Sequence, residues 1–274
     1  MEASTNAAGI VQHLDHFVLP VMDPERAEKF YVEVLGGRVL RKMNDASVSR
    51  TFIKFGRNHI GLFSQNKATI SQPGTLDSFP RYGFVAPAGE YERIAAKIRG
   101  AGSLVKAIEK KGIATGCGSH SGIAFADSEG NLVELFQGEG EAAARLDHLH
   151  FDTLDLAESI RFYTDILKLK LFERDRGLAV IGVPSRQSIV LHEVAELSPV
   201  TKTTYRGRHF AFHVKDADFH AIFARLHHAG IDERDDHGER EGRRPEQLGT
   251  YFKEPSGFRL QITNKDSATF AAHA

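Results

Sequence analysis

The residues best suited to chemistry in this chain are histidines set inside strand-like runs. His16 lies in LDHFVLP, His148 and His150 in LDHLHFDTL, and His209 and His213 in HFAFHV. An imidazole on a strand can ligate a metal, pass a proton, or complete an ordinary hydrogen bond, and the last is the commonest case. Alternate strand residues share a face, so His150 points the same way as His148, and His213 the same way as His209. Such groups act together only where several strands converge.

The elements that position them come in copies. Aligning His16 with His148 places Leu14, Asp15, Asp23, Phe30, Tyr31 and Leu35 on Leu146, Asp147, Asp155, Phe162, Tyr163 and Leu167. Further on, YERIAAKIRGAG (from Tyr91) matches FHAIFARLHHAG (from Phe219), and IAFADSEGNLVEL (from Ile123) matches TYFKEPSGFRLQI (from Thr250). The offset drifts by only a few residues, as loop deletions would cause. Self-similarity of this kind fixes architecture before any motif does. In each copy a strand leads through a polar turn to an amphipathic helix, and short extended runs follow: RTFIKFG with HIGLFS, then LAVIGVP with SIVLHEV. YGFVA and HFAFHV open a second unit, whose last two strands flank an acidic turn ending in Gly130 or Gly257. The chain thus reads as four strand–helix–strand–strand–strand units, an α+β pattern, with GEGEAAAR (from Gly138) as the linker between a half at 1–140 and a half at 141–274.

Bulk composition excludes several classes. A hydrophobic share of 41%, a charged share of 26% and a net charge of −1 are those of an ordinary globular protein, with no excess favouring nucleic acid or anionic membranes. The single cysteine, Cys117, precludes an intrachain disulfide. No run approaches the ~20 apolar residues of a membrane span, and MEASTNAAGIVQ does not resemble a secretory signal, so a cytoplasmic location is expected.

Four such units, with a histidine in an opening strand, Ala-Gly closing the second helix and an acidic-x-x-Gly turn before the last strand, resemble the vicinal oxygen chelate superfamily over nearly the whole chain. The two-domain layout resembles its type I extradiol dioxygenases. That resemblance implies two tandem domains of cup-shaped mixed sheet. It also implies a metal held by a histidine of a first strand, a histidine of the strand opening the next unit, and a glutamate of the last strand. Carried over to the second half, the positions are His148, His209 and Gln261, the last a glutamine where the family has glutamate. In the first half they are His16, Arg81 and Glu134; a guanidinium repels a cation, so that half is expected to hold no catalytic metal and Glu134 to pair with Arg81. Some members exchange units between halves, in which case His16 joins His209 and Gln261, and His148 joins Glu134.

The histidine that extradiol enzymes carry before the strand SIVLHEV is replaced here by Gln187 or Ser188, while their tyrosine is kept as Tyr251. His192, His213 and His150 are candidates for the proton-transfer role, and Arg243 and Arg244 lie in a charged loop suited to a flap. The function implied is Fe(II)-dependent extradiol cleavage of a small catechol-like aromatic by dioxygen, in a homodimer or larger homo-oligomer. Mn, Zn or no metal are the cofactor alternatives. Two other functions remain open: a glyoxalase- or epimerase-like enzyme, with Glu134 or Glu193 as the carboxylate base, and a metal-free binding protein.

Overall fold

In the computed structural model, the residues described are 10–44, 48–64, 75–109, 121–138, 143–202, 208–231 and 248–266. Unit 1 comprises β1 (Val11–Val21), α1 (Pro24–Lys29), β2 (Arg38–Asn44), β3 (Ser49–Phe55) and β4 (Asn58–Ser64). Unit 2 comprises β5 (Arg81–Val85), α2 (Tyr91–Gly100), β6 (Val105–Glu109), β7 (Ser121–Ala126) and β8 (Leu132–Phe136). Unit 3 repeats the first as β9 (Arg145–Thr153), α3 (Leu156–Arg161), β10 (Lys170–Asp175), β11 (Leu178–Val183) and β12 (Gln187–Glu193), followed by the short α4 (Pro199–Lys202). Unit 4 has β13 (His209–Val214), α5 (Asp216–His228), β14 (Gly249–Lys253) and β15 (Arg259–Thr263); the strand expected after α5 falls outside the described residues.

The first helix of each half starts and stops for local reasons. Asp23 and Asp155 cap α1 and α3 by accepting from the backbone N–H of Arg26 and Glu158, at 3.0 and 2.8 Å. Each helix then widens into a π-turn, Phe30–Val34 or Phe162–Ile166, which buries the Phe-Tyr pair. Gly130 and Gly257, at φ +84° and +90°, supply the left-handed residue of the acidic turns. Asp127 folds the first of these, accepting from the N–H of Glu129 (2.8 Å), the N–H of Asn131 (2.7 Å) and the buried Tyr31 hydroxyl (2.7 Å).

The strands form two mixed sheets, and each draws on both halves of the chain. Sheet A runs β14-β15-β13-β1-β4-β3-β2, uniting units 4 and 1; sheet B runs β10-β11-β12-β9-β5-β8-β7-β6, uniting units 3 and 2. The central seams are antiparallel, β1 against β13 and β5 against β9. One apolar core joins the two sheets. Phe17 stacks on Tyr82 at 4.7 Å between ring centres, and Phe210 meets Phe151 at 5.0 Å and Phe258 at 4.9 Å. Gln187 ties the sheets polarly, accepting from the N–H of Leu14 at 3.0 Å and donating to the carbonyl of Leu146 at 3.1 Å. At this position, where the resemblance implies a histidine, the glutamine thus has a structural task.

Candidate metal centre

The cross-half pairing decides which residues meet. On sheet A, Ala211 of β13 lies opposite His16 on one side and Gln261 on the other, and Gln261 faces Tyr251 of β14. His16 also stands opposite His59 of the parallel β4. His16, His59, His209, Tyr251 and Gln261 therefore share one face, the inside of a cup. The rings of His16 and His59 stack at 4.5 Å, His209 meets His16 edge-on at 5.6 Å, and Tyr251 meets His209 edge-on at 5.0 Å.

Sheet B repeats the arrangement with different chemistry. Gly83 of β5 lies opposite His148 and Glu134, as Ala211 lies opposite His16 and Gln261. In the matching registers Arg81 takes the place of His209, Ser188 that of His59, and Ala124 that of Tyr251. Arg81 Nη1 donates to Glu134 Oε1 at 2.9 Å, and His148 Nε2 donates to Glu134 Oε2 at 2.8 Å. The other nitrogen of His148 lies 3.0 Å from Asp147 Oδ2. Both ring nitrogens of His148 thus face carboxylates, and Glu134 is shared with Arg81. The expected Arg81–Glu134 pair is present, and the guanidinium fills the second cup with its own positive charge.

The set His148, His209 and Gln261 is thus corrected. His148 belongs to sheet B because β9 pairs with β5 and β12, whereas His209 and Gln261 belong to sheet A, where their partner is His16. Tyr251 does lie beside His209, and the Arg259 guanidinium sits 4.8 Å from its ring centre. His192 is in the other cup, stacked on His150 with 3.0 Å between their ring nitrogens, and Phe79 packs on both. His213 shares the face of His209 but lies further along β13, where its Nδ1 donates to the Lys265 carbonyl at 3.2 Å. Neither His192 nor His213 adjoins the His16–His209 group. Glu193 accepts from the N–H of Leu156 at the start of α3, and Arg243 and Arg244 lie outside the described residues.

Two residues escaped the sequence reading. Asp15 is buried, and it accepts from His16 Nδ1–H at 2.7 Å. Neighbours on a regular strand point to opposite faces, but a register shift between Leu14 and His16 marks a bulge that brings the carboxylate around to the ring. The seam of β9 shifts at the same point, and Asp147 holds His148 in the same way. Burial pushes Asp15 up, yet the His13 and His16 imidazoles beside it hold the carboxyl well below its ordinary range. The signal was available as an Asp-His dipeptide in both copies. The second missed residue is His59, whose pKa burial and the neighbouring His16 push down to about 3. It is therefore neutral at physiological pH.

These residues fit a divalent ion. With Nδ1–H committed to Asp15, His16 is fixed in the tautomer whose Nε2 lone pair is available, the arrangement by which a carboxylate orients and strengthens a ligating histidine. His209 and Gln261 lie on the same face and would add a second nitrogen and a neutral oxygen to such a donor set. Around it, Phe52 and Phe63 meet edge-to-face at 5.8 Å, Phe52 lies 5.6 Å from the His59 ring, and Gly61 lets the Phe63 and Val18 side chains close in to within 3.0 Å of where a Cβ would stand.

The chain belongs to the Glyoxalase/Bleomycin resistance protein/Dioxygenase superfamily, whose family model matches residues 13–135 and again 145–262. Among solved structures, it is similar to a putative dioxygenase from Bacillus subtilis subsp. subtilis str. 168, with a TM-score of 0.73 at 16% identity over 96% of this chain and 91% of that one. It is also similar to glyoxalase I from Zea mays, with a TM-score of 0.66 at 20% identity over 95% of this chain and 94% of that one. At these identities the likeness establishes the fold, two mixed-sheet domains, in a superfamily that contains both dioxygenases and glyoxalases.

Proposed function

We propose that this protein is a metal-dependent oxygenase of the extradiol type, acting on a catechol-like aromatic in the cup of sheet A. The supporting observation is that His16, His209 and Gln261 share that cup with His59 and Tyr251, whereas in the other cup Arg81, Ser188 and Ala124 stand at the places of His209, His59 and Tyr251, and Glu134, at that of Gln261, is paired with Arg81. His16, His209 and Gln261 would hold the ion, with Fe(II) the natural choice. When bound, it would supply a Lewis-acidic centre where a vicinal diol and dioxygen can meet.

The chain's own residues do the rest. Asp15 keeps His16 oriented. Phe52 and Phe63 form an aromatic wall for the substrate ring. The Tyr251 hydroxyl serves as hydrogen-bond donor to a substrate oxygen, with the Arg259 guanidinium packed over its ring. His59, neutral within the buried stack, offers a second donor or acceptor without adding charge. A glyoxalase-like reaction would need a carboxylate base here, but Glu134 is locked between Arg81 and His148 in the other cup, and Glu193 accepts from the N–H of Leu156 at the start of α3.

The test is oxygen consumption. Protein loaded with Fe(II) under nitrogen and given a panel of catechols should take up dioxygen and form the yellow ring-opened product. Gln261→Glu, adding one negative charge to the donor set, should hold iron more tightly and change turnover. Silence of both proteins with every catechol, despite bound iron, would remove the oxygenase reading.

A further inference from the structure

A second cluster lies further along β1 on the same face as His16, outside the donor set of the cup. His13 Nε2 is 3.6 Å from Asp15 Oδ1 and 3.6 Å from Asp266 Oδ1, and the three atoms lie within 4.8 Å of one another. The His13 side chain is only 3% exposed, and its Nε2 makes no hydrogen bond. At 3.6 Å the nitrogen is too far from either carboxylate for a hydrogen bond, which needs roughly 2.7–3.2 Å. Two donors on one tetrahedral ion, each about 2.0–2.2 Å from it, stand roughly 3.3–3.6 Å apart. A buried imidazole nitrogen equidistant from two carboxylate oxygens, at a spacing suited to shared coordination, points to a cation among them.

We propose that His13, Asp15 and Asp266 form a second divalent-cation site of the zinc type, with three protein ligands and an open position for water. Two carboxylates and a neutral imidazole offset the charge of a 2+ ion, and nitrogen with oxygen donors suits zinc better than calcium or magnesium. The site joins the start of β1 to the segment just after β15, where the Lys265 carbonyl is already held by His213, whose ring lies 4.9 Å from that of His13. Asp15 presents Oδ1 to this site and Oδ2 to His16, so one carboxylate links the new cation to the ligand histidine of the cup. Asp266, 26% exposed, gives the ion its route in.

Zinc titration tests this independently of any activity. His209→Ala, which disables the cup, should retain one zinc equivalent per chain after dialysis, and zinc should raise its melting temperature. Adding Asp266→Asn should weaken zinc binding on the order of 100-fold and abolish the thermal shift, while circular dichroism confirms that the chain is folded. Cobalt in place of zinc should give the visible absorption of a four-coordinate site in His209→Ala, lost on Asp266→Asn and equally on His13→Gln. Zinc affinity unchanged by Asp266→Asn, or no zinc retained by His209→Ala, would overturn the proposal and make His13 an imidazolium between two aspartates. Loss of oxygenase activity alone would not mimic either result, because binding is read directly.

Discussion

Replacing Arg81 by methionine removes the positive charge that occupies the second cup while keeping most of the side chain's length. Glu134 is fully buried and Arg81 is 12% exposed, so solvent screens the pair little. Removing one partner of a buried ion pair costs about 3–5 kcal/mol, because the remaining charge is left without compensation. Here His148 still donates to Glu134, so the lower end applies, about 3 kcal/mol. The double variant Arg81→Met, Glu134→Gln removes both charges and leaves an amide able to bond His148; it should recover about 2 kcal/mol of that loss. Urea unfolding at neutral pH, followed by fluorescence and circular dichroism, measures all three proteins. The reasoning fails if Arg81→Met lies within about 0.5 kcal/mol of wild type, or if the double variant is less stable than the single one.

Two further expectations concern stability. A Cβ at Gly83 would lie 2.0 Å from His148 Cε1 and within 2.4 Å of both ring nitrogens, so Gly83→Ala should expel the ring from its carboxylates and cost about 3 kcal/mol or more by thermal melting; a loss under about 1 kcal/mol would contradict this. Burial pushes Glu254 up from 4.5 to about 7. The folded protein therefore holds a proton that the unfolded chain releases, and this contribution is full below pH 4.5 and lost as pH rises through about 7. Glu254→Gln lacks the loss and should gain about 3 kcal/mol on wild type between pH 4.5 and about pH 8, whereas a constant gap in chemical unfolding would refute the assignment.

The units were legible in sequence because each is written locally: Asp23 and Asp155 as caps, the Phe-Tyr pairs, and the acidic turns at Gly130 and Gly257. Which units share a sheet was not. β1 and β9 carry nearly the same edge pattern, Leu-Asp-His followed by apolar alternation, so either could accept β5 or β13 by hydrophobic pattern alone. The outcome depends on long-range contacts such as Phe17 on Tyr82 and Gln187 on Leu14, which no local periodicity encodes. Exchange of units between halves was an open alternative, and the structure takes it. His59 was overlooked for the same reason: its counterpart across the repeat is Ser188, so it became relevant only once β4 lay beside His16. Asp15 was hidden by the bulge, which brings two successive residues into contact against the strand's alternation.

Metal content across three variants tests the central claim, a cup built from both halves, most directly. Each protein would be loaded with Fe(II) under nitrogen, desalted and assayed by elemental analysis. His16→Ala and His209→Ala should each lose one iron equivalent relative to wild type, although the residues lie in opposite halves of the chain, while His148→Ala, whose imidazole is already held by Asp147 and Glu134, should keep it. Iron lost from His148→Ala and retained by His16→Ala would contradict the account.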